Sequence, residues 1–266
     1  MCKSQLVELA RQAAEFRARG IEVAAIIPEP VAALKAFAVR QDIPYPLLSD
    51  PDSSIIRRFG LVDARTPKLK PEDPELPYAG NFLLDADGRV RARFFEEVVA
   101  NRRTAGSILL HQGASGSHQQ EVALGHALLR TSASNAELRP AQRFTLALEI
   151  QMEPHHHMYA TGGDYRPLRF VPDPDPLFEF HPPELPPTRP LYFAPLKETV
   201  SVYEGRFRLL QDVTLRYAVL QRLRDEPEFD LPLTGRLEYQ VCSDRVCYPP
   251  ASTPVRWSFR IHRFIK

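Results

Sequence analysis

Apolar side chains recur at Leu6, Leu9, Ala13 and Phe16 with charged residues between them, and Gly20 ends the run, so residues 3–19 predict an amphipathic helix. Ile21 to Ile27 is short, apolar and β-branched and stops at Pro28, the pattern of a strand buried in an α/β sheet. A second helix is expected over Pro30 to Gln41, with proline in the first turn, where its missing N–H costs nothing. Pro46 to Ser49 reads as a short strand, and Asp50-Pro51 opens a third helix ending at Gly60. Asn81 to Asp85 and Arg89 to Glu96 flank Ala86-Asp87-Gly88 as the arms of an antiparallel hairpin, and a last helix is expected from Arg102 to His111. The order α-β-α-β-α-β-β-α lacks only a leading strand to be a thioredoxin-like α/β layer, a sheet between helices.

Beyond His111 the pattern changes. Residues 112–120, Gln-Gly-Ala-Ser-Gly-Ser-His-Gln-Gln, hold turn formers and no hydrophobic anchor and read as a linker. Arg143 to Gln151 then alternates, with Phe144, Leu146, Leu148 and Ile150 on one face. Thr199 to Leu209, Val213 to Val219, Arg236 to Val241 and Val255 to Ile261 are further strand candidates, with Trp257, Phe259 and Ile261 facing a core. Many short strands with turn signals between them predict an all-β sandwich. Arg166 to Pro195 carries ten of the 26 prolines, which excludes a central strand or helix and predicts a surface excursion with some edge pairing. The expected organisation is a first domain over 1–111, a linker over 112–120 and a second domain over 121–266.

Composition narrows the function classes. A length of 266 residues suits two domains. A net charge of +1 supplies no field for nucleic acid or an anionic membrane, so neither partner is expected. No apolar run is long enough to span a membrane, and the charged, amphipathic start is not a signal peptide. Three cysteines are too few for a disulfide-stapled scaffold. No P-loop or dinucleotide fingerprint occurs, so no cofactor is implied.

The sharpest chemical feature is Tyr239-Gln240-Val241-Cys242-Ser243-Asp244-Arg245-Val246-Cys247-Tyr248-Pro249-Pro250. Two cysteines with four residues between them, leaving a strand and halted by Pro-Pro, can close a small ring at a hairpin tip. Their Cα atoms are expected within about 7 Å. So short a ring removes little chain entropy, which favours reversible exchange over a staple. Arg245 would favour a thiolate and Asp244 oppose it, while Tyr239 and Tyr248 are placed to shield the pair. A structural bridge, or two inert thiols, is the alternative from spacing alone. His155-His156-His157, beside Met152 and Met158, suggests copper or nickel ligands, but adjacent strand residues point to opposite faces and cannot all converge, so no metal site is expected. Glu149, Glu153 and Asp164 form no paired-carboxylate geometry arguable from spacing.

The motif Tyr-Gln-x-Cys-x-Asp-x-x-Cys-Tyr-Pro-Pro resembles the N-terminal domain of the thiol:disulfide interchange protein DsbD family. His157-Met158-Tyr159 and Val202-Tyr203-Glu204-Gly205 stand where that family has corresponding elements, and the likeness covers about residues 120–266. It implies an immunoglobulin-like sandwich in which Cys247 forms a mixed disulfide with a protein partner and Cys242 resolves it. Residues 1–111 resemble an AhpC/TSA-type redoxin of the thioredoxin superfamily through Cys2-Lys3-Ser4-Gln5-Leu6-Val7-Glu8-Leu9, Pro46 to Asp52 with Phe59-Gly60, and Phe82 to Gly88. Cys2 then corresponds to the second cysteine of a Cys-x-x-Cys pair whose first cysteine and first strand are missing, and Ala79 stands near the family's cis-proline.

The function expected is therefore thiol-disulfide oxidoreductase, with Cys242, Cys247 and Cys2 as redox residues and Tyr239, Gln240, Asp244, Arg245 and Tyr248 supporting. The partner would be a thioredoxin-like protein or a membrane electron donor, and the resemblance implies a periplasmic or other extracytoplasmic location. The alternatives are a non-enzymatic immunoglobulin-like module with a structural disulfide on a degenerate redoxin, and a peroxidase. Met1 is expected not to be the true start, with a Trp-Cys-Pro segment immediately upstream.

Overall fold

The computed structural model describes residues 2–264 except 66–69, 71–72, 79, 97–100, 161–164 and 194–196; the side chains of Cys2, His118, Gln119 and Phe193 also lie outside the description. The chain divides into two compact units: Met1–Gln112 with Ala141–Arg143 and Phe264–Lys266, and Gly113–Pro140 with Phe144–Arg263.

The first unit runs α1 (Cys2–Ala18), β1 (Ala25–Ile27), α2 (Val31–Gln41), β2 (Leu47–Ser49), α3 (Ser54–Arg58), β3 (Gly80–Leu84), β4 (Val90–Phe95), β5 (Arg102–Arg103) and α4 (Ala105–His111). Helix α1 buries Val7, Ala13 and Phe16, while Leu6 and Leu9 are only half-buried. Asp50 sits ahead of α3 and accepts hydrogen bonds from the backbone N–H groups of Ile55 and Ile56, satisfying donors that a short helix leaves unpaired. Thr104 caps α4 by accepting from the Ser107 N–H, so this helix begins three residues later than expected. The elements come in the expected order, but the sheet does not close into one layer. β1 and β2 form a parallel pair, β3 and β4 form a separate antiparallel hairpin, and no strand among the described residues joins them. Consequently Ile26, Leu48, Phe82 and Leu84 stay exposed on strands whose counterparts in a continuous sheet would be covered.

The second unit contains β6 (Ser117–Ala123), β7 (Ala127–Ala133), β8 (Glu137–Leu138), β9 (Gln142–Met152), β10 (His156–Tyr159), β11 (Arg169–Pro172), β12 (Phe178–Phe180), β13 (Arg189–Phe193), β14 (Glu198–Glu204), β15 (Arg206–Leu215), α5 (Val219–Asp225), β16 (Glu228–Tyr239), β17 (Val241–Ser243) and β18 (Ala251–His262). Two sheets, ordered β12-β15-β9-β7-β6 and β11-β16-β18-β8, share one core. Phe144 on β9 meets Phe259 on β18 with ring centroids 4.8 Å apart, and the Trp257 indole N–H donates to the Ser132 carbonyl at 3.0 Å. The indole therefore buries its ring without leaving its one donor unpaired. A third sheet, β13-β14-β10-β17, carries the cysteines.

Two expectations are corrected. The linker over 112–120 is partly strand: Ser117 opens β6, which pairs with β7, and Ala114 is buried. Val213 to Val219 is not one strand, because β15 ends at Leu215 and Val219 begins α5. The proline-rich stretch behaves as expected: it contains β11, β12 and β13, each at the edge of its sheet, where a missing N–H can face away from the one partner strand.

Candidate redox site and its surroundings

Residues 241–248 form a tight hairpin on the outer strand of the third sheet. β10 pairs with β17 so that His157 lies opposite Cys242, and β10 pairs on its other side with β14, placing His157 opposite Glu204. The turn is tied by Ser243, whose N–H donates to the Val246 carbonyl at 2.8 Å and whose hydroxyl accepts from the Val246 N–H at 3.1 Å. Tyr248 N–H donates to the Val241 carbonyl at 2.9 Å, and the Gln240 side chain donates to the Tyr248 carbonyl at 3.0 Å. These bonds hold Cys242 and Cys247 side by side with their Cα atoms 4.0 Å apart, joined by a disulfide.

The two sulfurs have unequal surroundings. Cys242 is fully buried, whereas Cys247 is exposed. Period-two alternation explains the first: Met158 and Val241 face the main core, so Tyr159 and Cys242 face the other side. There Tyr159, Val202 and Cys242 make a small buried cluster, covered by Tyr165, Leu191 and Val200. Tyr159 stacks on Tyr165 with centroids 4.1 Å apart, and Tyr165 donates to the Glu198 carboxylate. The Tyr159 hydroxyl lies 3.7 Å from the Cys247 sulfur. Burial, and then the charge of Glu198, push the Tyr159 phenol above its ordinary value, so it stays a proton donor. His157 is buried, and its Nε2 meets no hydrogen-bond partner among the described residues. Burial lowers its pKa, against the raising influence of Glu204 and Asp244.

The expected supporting residues divide by position. Gln240 braces the hairpin. Asp244 and Arg245 are exposed at the turn, with the Asp244 carboxylate 3.8 Å from His155 Nδ1. Tyr239 is a core residue whose hydroxyl meets Thr253 at 3.2 Å, and Tyr248 turns its ring to His126 at 4.6 Å. The aromatic contact to sulfur comes from Tyr159 instead, by way of the β10 register. Cys2 starts α1 in the first unit, its side chain outside the described residues, as are Met1 and Ala79.

The three consecutive histidines diverge, His156 and His157 by alternation along β10 and His155 because it stands in the preceding turn. His157 is buried, His155 is exposed near Asp244, and His156 stacks on His126 with centroids 4.2 Å apart at 9°. Sequence reading missed this last meeting, because His126 comes from the β6–β7 turn.

Comparison with known proteins follows the same division. Residues 1–93 match the AhpC/TSA family, and residues 126–256 match the thiol:disulfide interchange protein DsbD N-terminal family. Among curated proteins, the chain is 24% identical over 180 residues to a probable 1-Cys peroxiredoxin of Bromus secalinus, covering 63% of this chain and 80% of that protein. It is also 24% identical over 148 residues to 1-Cys peroxiredoxin PER1 of Triticum aestivum, covering 53% and 60%. Among solved structures, the N-terminal periplasmic domain of ScsB from Proteus mirabilis aligns at 16% identity with a TM-score of 0.28, over 55% of this chain and 51% of that one.

Proposed function

We propose that this two-part chain, redoxin-like in its first part and similar to the DsbD N-terminal domain in its second, exchanges thiols and disulfides with a protein partner through Cys242 and Cys247. The observation that carries the reading is the asymmetry of the bonded pair: one sulfur is buried and the other is exposed beside a phenol. In the disulfide form a partner thiolate attacks the accessible Cys247 sulfur. The Cys242–Cys247 bond breaks, and Cys242 leaves with the electron pair. A second partner thiolate then attacks the partner's own sulfur in the mixed disulfide, releasing reduced Cys247 and an oxidised partner. In the opposite direction Cys247 thiolate opens a partner disulfide, and Cys242 attacks Cys247 to expel the partner as a dithiol.

A ring with a sequence separation of five residues closes little entropy, about 2 kcal/mol, so a purely stabilising role is a weak use of the bond. The pair's reduction potential is expected above about −300 mV, on the exchanging side of the range for structural bridges. The partner is a thioredoxin-like protein or a membrane electron donor, and the location is an oxidising extracytoplasmic space such as the periplasm. No helix among the described residues is long and apolar enough to cross a membrane. In a Cys2→Ser background, Cys242→Ser should accumulate a mixed disulfide with a thioredoxin-like protein, visible on non-reducing gels and by mass spectrometry. Cys247→Ser should form none. Equal adducts in both variants would refute the assignment.

The curated relatives favour a second reading for the first part, peroxide reduction involving Cys2. Its test is peroxide consumption by the full chain compared with Cys2→Ser, and equal rates would remove it.

A further inference from the structure

We propose that His126, Glu153 and His156 form a binding site for a divalent transition metal of the imidazole-preferring class, with zinc as its probe. The candidate ligand atoms of these three side chains lie within 4.8 Å of one another. His126 comes from the turn joining β6 to β7, Glu153 from the turn joining β9 to β10, and His156 from the first position of β10. The turns are tied together by the Glu153 N–H donating to the His126 carbonyl at 2.9 Å.

The hydrogen bonds settle which nitrogens are open. His156 Nδ1 lies 3.0 Å from the Pro154 carbonyl, which can only accept, so Nδ1 carries the proton and Nε2 keeps its lone pair. His126 Nδ1 lies 2.8 Å from a Glu153 carboxylate oxygen, so a cation entering between them would displace the shared proton and take both atoms as ligands. The Pro154 carbonyl, accepting from the far nitrogen of His156, orients that imidazole. The result is two nitrogen donors and one oxygen donor, with water completing a four-coordinate shell.

At metal–ligand distances near 2.1 Å, tetrahedral ligands stand about 3.4 Å apart. Closing from 4.8 Å is therefore a shift of about an ångström or slightly more, within the reach of exposed Glu153 and half-buried His126 and His156. Tyr248 walls one side, its ring 4.6 Å from His126 and 6.2 Å from His156. The site thus borders the disulfide hairpin, since His156 pairs with Ser243 and Tyr248 follows Cys247. It does not depend on the exchange reaction.

The experiment is zinc titration by calorimetry of the full chain with its disulfide intact, in a Cys2→Ser background that removes the free thiol. One equivalent should bind. His126→Ala and His156→Ala should each weaken binding at least tenfold, and His155→Ala, which alters the exposed neighbour, should leave it unchanged. Cobalt should give visible d–d absorption without a thiolate charge-transfer band. Thermal melts of the metal-free variants confirm that each is folded. Absence of saturable binding, or a loss in His155→Ala equal to that in His156→Ala, would overturn the proposal.

Discussion

Replacing Tyr159 with phenylalanine tests whether the phenol tunes Cys247. The hydroxyl sits 3.7 Å from the Cys247 sulfur, and burial beside Glu198 keeps it protonated, so toward a thiolate, which carries no hydrogen, it donates. Donation favours a thiolate over a thiol. Hydrogen bonds to charged groups contribute about 1.5–3 kcal/mol, and a long contact to sulfur belongs at the lower end. One pKa unit corresponds to about 1.4 kcal/mol, so Tyr159→Phe should raise the Cys247 pKa by about one unit. The stacked ring on Tyr165 is kept, which isolates the hydroxyl. Below both pKa values the thiolate fraction falls about tenfold. The remaining thiolate is about threefold more nucleophilic, because nucleophilicity follows basicity with a slope near 0.45, and alkylation slows about threefold. Above both pKa values the same variant should react about threefold faster. The assay is the pH–rate profile of iodoacetamide alkylation in Cys2→Ser/Cys242→Ser protein, with and without Tyr159→Phe. Slower reaction at every pH, or an unmoved profile, refutes the role of the hydroxyl.

Two further predictions concern the frame of the site. Burial holds the His157 pKa below its ordinary 6.5, so the folded state binds fewer protons than the unfolded state as pH falls below that value. The stability contributed by this group is full above 6.5 and is lost as pH falls toward the folded-state value. His157→Gln should narrow the gap between urea midpoints at pH 7.5 and 5.5, and an unchanged gap counts against this origin. Gly235 on β16 faces β11 so closely that an added Cβ would lie 2.7 Å from the Val171 carbonyl oxygen and 2.8 Å from the Phe170 ring. Gly235→Ala should cost about 1–3 kcal/mol in urea denaturation, and a loss under about 0.5 kcal/mol would show that the strands can part without penalty.

What could be read along the chain was what is local. The cysteine hairpin was legible because four intervening residues and a Pro-Pro stop leave few ways to arrange two thiols, and the structure bonds them. The prolines of residues 166–195 were legible as an exclusion, since three strands form there and all take edges. The strands at Ser117–Ala123 and Ala127–Ala133 were not, because their alternation is carried by small or polar residues: the buried positions of β7 are Ala127, Leu129, Thr131 and Ala133. Only tertiary packing makes that face apolar enough to bury. The separation of β1 and β2 from β3 and β4 depends on pairing rather than propensity, and each strand alone reads the same either way.

The histidines show most directly where one-dimensional reasoning stops. Alternation sends His156 and His157 to opposite faces of β10, and the turn carries His155 away from both, which argues against an ion held by the run itself. That argument says nothing about what each residue meets after it diverges. His157 is carried into the layer beside Cys242, where burial lowers its pKa, and His156 is carried to a histidine thirty positions earlier in the sequence. The sheet crossing at Glu153 to His155, with His155 in the left-handed region at φ 63°, makes both outcomes possible. It ends β9 in one sheet and begins β10 in another, so a single turn supplies Glu153 and His156 to one cluster and delivers His157 and Tyr159 to the disulfide. The two candidate chemistries of the second unit therefore share a scaffold without sharing a side chain, and substitutions at His126 or Glu153 should leave the mixed-disulfide yield of Cys242→Ser unchanged.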